Sequence, residues 1–329
     1  EGQTLYSNYF FTQGPAMPLF YSKFNWIWEN FGILGARVFT LTLGVLSIFF
    51  AAETAKKFVD EPHKAKVFWM VVLLLGSNLY HIYYLAIPKT YALASLALMV
   101  GFYFYFSAVE KKSAFYSFLA GAAFAVAAST RISLASAGVV AVFHIFSIRK
   151  FKRSVSFCFV LGAVMTGFFA YMPFLADAKA FDNLIAAHLY HASRDGLDFK
   201  LIAGSLSRVA RWYLPVWFLI GLSCALPECR RNLRESGSNL LFIALAFSVT
   251  ALVHLSAPNP YDDYQVPIMA IAAIFAAVRI APARLPVVFL IAALVWCQTF
   301  GSPLLEKFMT NGHDRFWVVP KDSTELFQL

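Results

Sequence analysis

Lys89 and Arg131 each stand where an apolar run ends, which places a cation at the depth of lipid phosphates. Either could pair with a phosphate oxyanion, the lysine as a point charge and the arginine through its planar fork of donors. The same positions also suit long side chains that merely snorkel toward the headgroups. Asp262 and Asp263 open another apolar run between Tyr261 and Tyr264, making an acidic and aromatic edge of the kind that holds sugar hydroxyls. Acids also gather at helix starts for purely structural reasons. His81 and His254 lie near the ends of apolar runs and read either as functional groups or as satisfied structural histidines. A denser polar cluster, His188, His191, Arg194 and Asp195, fits the solvated face of a surface helix.

The elements that carry these residues are dictated by composition. Of 329 residues, 60% are apolar and only 14% charged, with 35 Phe, 15 Tyr and 7 Trp, so lipid is the natural solvent for the chain. The net charge of +9 does not point to nucleic acid, because Lys and Arg fall mainly in short bursts between apolar runs rather than along one groove. The cysteines Cys158, Cys224, Cys229 and Cys297 have neither CxxC nor Cys/His spacing, so no zinc site or disulfide framework is indicated.

A helix crosses a bilayer core of about 30 Å with roughly 20 apolar residues. About ten stretches approach that length, which predicts an all-α, polytopic integral membrane protein. They run near 33–52, 67–87, 90–109, 114–130, 132–148, 154–176, 212–227, 238–257, 265–278 and 285–301. Two of them meet so tightly at Ser129-Thr130-Arg131 that a broken or re-entrant element is an alternative there. Alternate loops collect the basic residues: Lys56, Lys57, Lys64 and Lys66, then Lys111 and Lys112, then Arg149 to Arg153, then Arg230, Arg231 and Arg234, then Arg279 and Arg284. Lys and Arg are retained on the cytoplasmic side, so the segments 1–32, 177–211 and 302–329 are expected at the outer face of a plasma membrane.

Segment 1–32 is aromatic and broken by Gly14-Pro15 and Pro18, which predicts an interfacial loop ahead of the membrane domain 33–301. Segment 177–211 carries two amphipathic patterns separated by Asp195-Gly196, which predicts two short helices lying on the membrane surface. Segment 302–329 is polar and offers no motif. With Glu1 outside and no signal segment of its own, the chain is expected to follow at least one transmembrane helix, with a cleaved signal peptide as the lesser alternative.

Three stretches together carry a family resemblance. Tyr6 to Tyr21, YSNYFFTQGPAMPLFY, with Arg37 beyond it, is similar to a first outer loop leading through Gly-Pro into an aromatic helix start. Gly121 to Ser133, GAAFAVAASTRIS, is similar to a small-residue helix ending in an outward Thr-Arg. His254 to Ala273, HLSAPNPYDDYQVPIMAIAA, is similar to a Tyr-rich outer loop feeding a proline-containing helix. The pattern resembles the GT-C glycosyltransferases, specifically the bacterial relatives of protein O-mannosyltransferases and of the aminoarabinose transferase that modifies lipid A.

The resemblance implies transfer of a sugar, with inversion, from a polyprenyl-phosphate donor to an acceptor glycan, lipid or protein at the outer face of the membrane. It places the general base, an acidic residue of the first outer loop, upstream of Glu1, so the chain by itself is expected to be inactive. Asn8 falls where a second acid is frequent, and it can hydrogen-bond a sugar but cannot take its proton. Asn8, Lys89, Arg131, His254, Asp262, Asp263 and Tyr264 are therefore the expected substrate-binding residues. Relatives differ in the use of a divalent metal, so no cofactor is assigned. A lipid-linked polysaccharide polymerase or ligase, with its chemistry near Arg194, is one alternative. A transporter or flippase is another, although the 18 carboxylates fall in loops or at span ends and leave no intramembrane acidic relay.

Overall fold

The computed structural model describes residues 13–147, 153–175, 178–186, 198–229, 237–257, 261–283 and 287–300, and these residues form helices and turns with no strand. The first helices are α1 (Ala16–Tyr21) and α2 (Asn25–Lys56), joined by a 3-10 turn, then α3 (Glu61–Gly76), α4 (Leu79–Ala86), α5 (Thr90–Lys111) and α6 (Ala114–Thr130). A 3-10 turn, Ile132–Leu134, leads into α7 (Ala135–Ser147), followed by α8 (Arg153–Tyr171), the short α9 (Ala178–Phe181), α10 (Phe199–Trp212), α11 (Leu214–Ala225) and α12 (Gly237–Leu255). Another 3-10 turn, Asp262–Gln265, opens α13 (Val266–Ile280), and α14 (Val287–Phe300) follows.

Helix α13 is the hub. It packs on α2, α3, α5, α11 and α12, and its residues from Val266 to Ile280 are almost all buried. The outer helices behave oppositely, for Leu34, Phe143 and Phe157 are 70%, 73% and 64% exposed. Bare leucine and phenylalanine of this kind mark surfaces that meet lipid or another protein. Small residues close the bundle: a side-chain carbon at Gly121 of α6 would collide with the Phe159 carbonyl of α8, and one at Gly162 of α8 with the Phe118 carbonyl of α6. The two backbones touch, as membrane helices do where lipid supplies no hydrophobic drive.

Four helical stretches are long and apolar enough to cross a membrane: Ala16–Lys56, Thr90–Lys111, Arg153–Phe174 and Asp263–Ile280. A fifth crossing results if α3 and α4, bent by 71°, count as one broken span. The expectation of about ten full spans is therefore corrected to four or five among the described residues. The apolar helices Ala114–Thr130, Ile132–Ser147, Leu214–Ala225 and Asn239–Leu255 have only 10–17 residues, too few for a straight crossing of about 20 residues.

Two boundaries also differ from the sequence pattern. The single run 67–87 is interrupted at Ser77-Asn78, where the Asn78 side chain accepts from the His81 N–H and caps a new helix. The predicted loop before residue 33 is helical from Ala16. Pro15 and Pro18 lie at the N-cap and in the first turn, where backbone N–H groups have no helical partner to lose. The break comes later, at Gly32, whose φ of 56° suits glycine and not a residue with a side chain.

Candidate functional site

At one pole of the bundle the ends of α1, α4, α5, α6 and the 3-10 turn before α13 border an open cavity of about 640 Å3. Its lining includes Lys89, Arg131, Asp263 and Tyr264, together with Tyr83, Tyr84, Tyr91 and Tyr261. Residues that are far apart in sequence meet here because three chain breaks face one another: Pro88-Lys89 before α5, Arg131 after α6, and Asp262–Gln265 before α13.

Arg131 has extended backbone, φ −139° and ψ 110°, between α6 and the following 3-10 turn. Its N–H donates to the Ala127 carbonyl at 2.9 Å and its own carbonyl accepts from Leu134 N–H at 2.9 Å, so the junction is fixed on both sides. The N-terminal segment braces it as well, since Gly14 lies so close to the Ser129 carbonyl that no side chain fits between them. The guanidinium lies between two aromatic rings, 5.0 Å from the Tyr91 centroid and 4.8 Å from that of Tyr264. Its Nη1 donates to Thr90 Oγ1 at 3.0 Å. The side chain is buried, its Nε has no hydrogen-bond partner, and no ion pair to it forms among the described residues.

Asp263 supplies negative charge to the same cavity and accepts a short hydrogen bond from Tyr91 Oη. Tyr91 thus touches the cation with its face and the carboxylate with its hydroxyl, which keeps the two charges apart. Tyr84 packs edge-on to Tyr91 at 5.4 Å, and Tyr261 edge-on to Tyr264 at 5.6 Å. Lys89 is exposed at the rim, and its carbonyl accepts from Tyr21 Oη at 3.2 Å. The arrangement offers a buried cation for an anionic group, a carboxylate for hydroxyls, and aromatic walls for the C–H faces of a ring.

The other sequence candidates fall as follows. His254 is buried behind Tyr264, with its ring 6.4 Å from the tyrosine's and its Nε2 hydrogen-bonded to Ser133 Oγ at 2.7 Å. It fastens α12 to the junction that holds Arg131, and it does not line the cavity. His81 is likewise interior, bonded through Nδ1 to Tyr213 Oη at 2.9 Å. Asp262 begins the turn that carries Asp263, while its side chain lies outside the described residues, as do Asn8 and the whole cluster of His188, His191, Arg194 and Asp195. Among the described residues no three of His, Cys, Asp and Glu converge as metal ligands.

Sequence reasoning missed Tyr83, Tyr84 and Tyr91. Their signal was the density of tyrosine on both sides of Lys89, in YHIYYLAIPKTY, which composition alone assigns to lipid contact. Comparison with protein-family models, with curated proteins and with solved structures gives no match.

Proposed function

We propose that the protein transfers a sugar from a polyprenyl-phosphate carrier to a glycan, lipid or protein acceptor at the outer face of the plasma membrane, as the resemblance to the GT-C glycosyltransferases implies. The observation that carries this reading is Arg131, a buried guanidinium with an unused donor, set between tyrosine rings and opening on a cavity at one pole of the bundle. In this reading the pole bearing the cavity is the outer one. The long helices cross the bilayer, and the short apolar helices α6, α7, α11 and α12 form broken crossings around the site.

The phosphodiester of the donor lies on Arg131, with Lys89 at the rim drawing the headgroup in. The acceptor oxygen attacks the anomeric carbon from the face opposite the phosphate. The bond from that carbon to the phosphate oxygen breaks, and polyprenyl phosphate departs with one more negative charge than it had as a diester. A fixed guanidinium in a low-dielectric site favours that added charge more than it favours the bound donor, which is the requirement for catalysis. Asp263, held by Tyr91, orients sugar hydroxyls. The acceptor proton goes to a general-base carboxylate, which the family resemblance implies.

Membranes containing the full-length protein, given polyprenyl-phosphate mannose or polyprenyl-phosphate aminoarabinose with labelled sugar, test the reading. Arg131→Gln is expected to lower transfer by about 100-fold to 1,000-fold. Arg131→Lys, which keeps the charge but loses the fork, is expected to retain more of it. Wild-type rates in Arg131→Gln, or no transfer by the wild type from either donor, would count against the proposal.

A further inference from the structure

Helix α10, Phe199–Trp212, has three faces where an ordinary surface helix has two. One line, Ser205 and Val209, is buried against the protein. About a third of a turn away runs an apolar line that the protein leaves bare, with Phe199 77% and Leu206 48% exposed. The remaining face carries the exposed Lys200, Arg208 and Arg211, with Leu201, 45% exposed, beside Arg208, and the helix contains no acidic residue. Asp198, just outside it, is used as the N-cap and accepts from the N–H groups of Lys200 and Leu201 at 2.8 and 3.1 Å.

We infer that α10 lies in the plane of the leaflet at the cavity pole and docks there on anionic phospholipid, its bare apolar line among the acyl chains and its basic face on the headgroups. A bare apolar line beside a basic face is complementary to an anionic lipid surface, which takes Phe199 and Leu206 among its acyl chains and the cations at its headgroups. The position of the helix gives the docking a consequence. Helix α10 packs on the turn Asp262–Gln265, which carries Asp263 and Tyr264. At its C-terminal end the Trp212 ring stacks on Tyr80 at 4.8 Å, and the Trp212 carbonyl accepts from Asn78 Nδ2 at 2.9 Å. Both contacts are to the start of α4, whose later residues Tyr83 and Tyr84 line the cavity. Lipid bound on α10 therefore sits on an element that touches both walls of the site. The inference rests on the membrane reading of the fold and is independent of sugar transfer.

The test places a fluorophore on Ser207→Cys, exposed between the two outward lines, in full-length protein whose native cysteines are replaced by alanine and which is reconstituted in phosphatidylcholine. Quenching by phosphatidylglycerol with a nitroxide on its acyl chain is compared with quenching by the equivalent phosphatidylcholine. We expect an efficiency about fivefold higher for phosphatidylglycerol, lost in about 0.5 M salt and in K200Q/R208Q/R211Q. K200R/R208K/R211K should retain it. Equal quenching by the two lipids, quenching by neither, or an unchanged preference in K200Q/R208Q/R211Q would each overturn the inference. Loss of the preference to inorganic phosphate at constant ionic strength would do so as well, by assigning the cations to a soluble anion.

Discussion

A buried guanidinium left without a carboxylate is costly to keep, and at Arg131 the cost is offset only in part. Two tyrosine faces contribute about 1–2 kcal/mol each to a desolvated cation, and the bond to Thr90 Oγ1 satisfies one donor, while Nε remains unused. A group held in this way is prepared for an anion that arrives from outside. Tyr91 is the hinge of the arrangement, because its ring serves Arg131 and its hydroxyl serves Asp263. Tyr91→Phe keeps the ring and releases the carboxylate, so it should resemble Asp263→Asn. Each single change is expected to weaken binding of the polyprenyl-phosphate sugar about tenfold, and the double variant should be no worse than either. Losses that multiply in the double variant would show that the two residues act separately.

At the scale of elements, the site depends on helices that end early. Helix α6 stops at Thr130, α4 at Ala86, and α13 begins only after a 3-10 turn, so three ends form a bowl. What holds α6 in place is its backbone contact with α8 through Gly121 and Gly162. Gly121→Val should cost about 1–3 kcal/mol and lower the thermal midpoint in detergent, because the Phe159 carbonyl cannot move aside. Gly138→Ala on α7, whose nearest neighbour would be Phe124 Cβ at an ordinary 3.6 Å, should leave the midpoint unchanged or slightly raised. An equal effect of the two changes would contradict this account of the crossing.

The break at Ser129-Thr130-Arg131 was legible in the sequence, since two apolar runs met there at an arginine. The bend between α3 and α4 was not, because the runs on both sides are equally apolar and hydropathy reports composition without direction. Asn78 was the available sign, a capping residue inside an apolar stretch. Lys89, Arg131, Asp263 and Tyr264 could each be picked out as polar or aromatic residues at the ends of runs. That they share one cavity with Tyr83, Tyr84 and Tyr91 depends on helix packing across the bundle, which no local pattern contains.

For the whole molecule, the separation of its two poles organises the rest. At one pole Lys57 pairs with Glu110 at 3.2 Å, and Lys66 Nζ donates to the carbonyls of Ala281 and Ala283 at 2.9 and 2.7 Å. These contacts gather the basic loops together, and by the retention of Lys and Arg that pole should face the cytoplasm. In a cysteine-free background, an impermeant thiol reagent applied to intact cells is expected to label Tyr261→Cys at the cavity pole and to reach Lys112→Cys only after permeabilisation. Reversed labelling would invert the orientation.

The central claim is that a lipid phosphate binds on Arg131, and the most direct measurement is crosslinking by polyprenyl phosphate that carries a photoreactive group next to its phosphate. Adducts are expected on the cavity lining, at Met17, Tyr84 or Tyr91, to be displaced by unlabelled polyprenyl phosphate, and to fall about 100-fold in Arg131→Gln while the fold persists. Adducts confined to the outer, lipid-facing surfaces of α2 and α8, or equal labelling of wild type and Arg131→Gln, would contradict it.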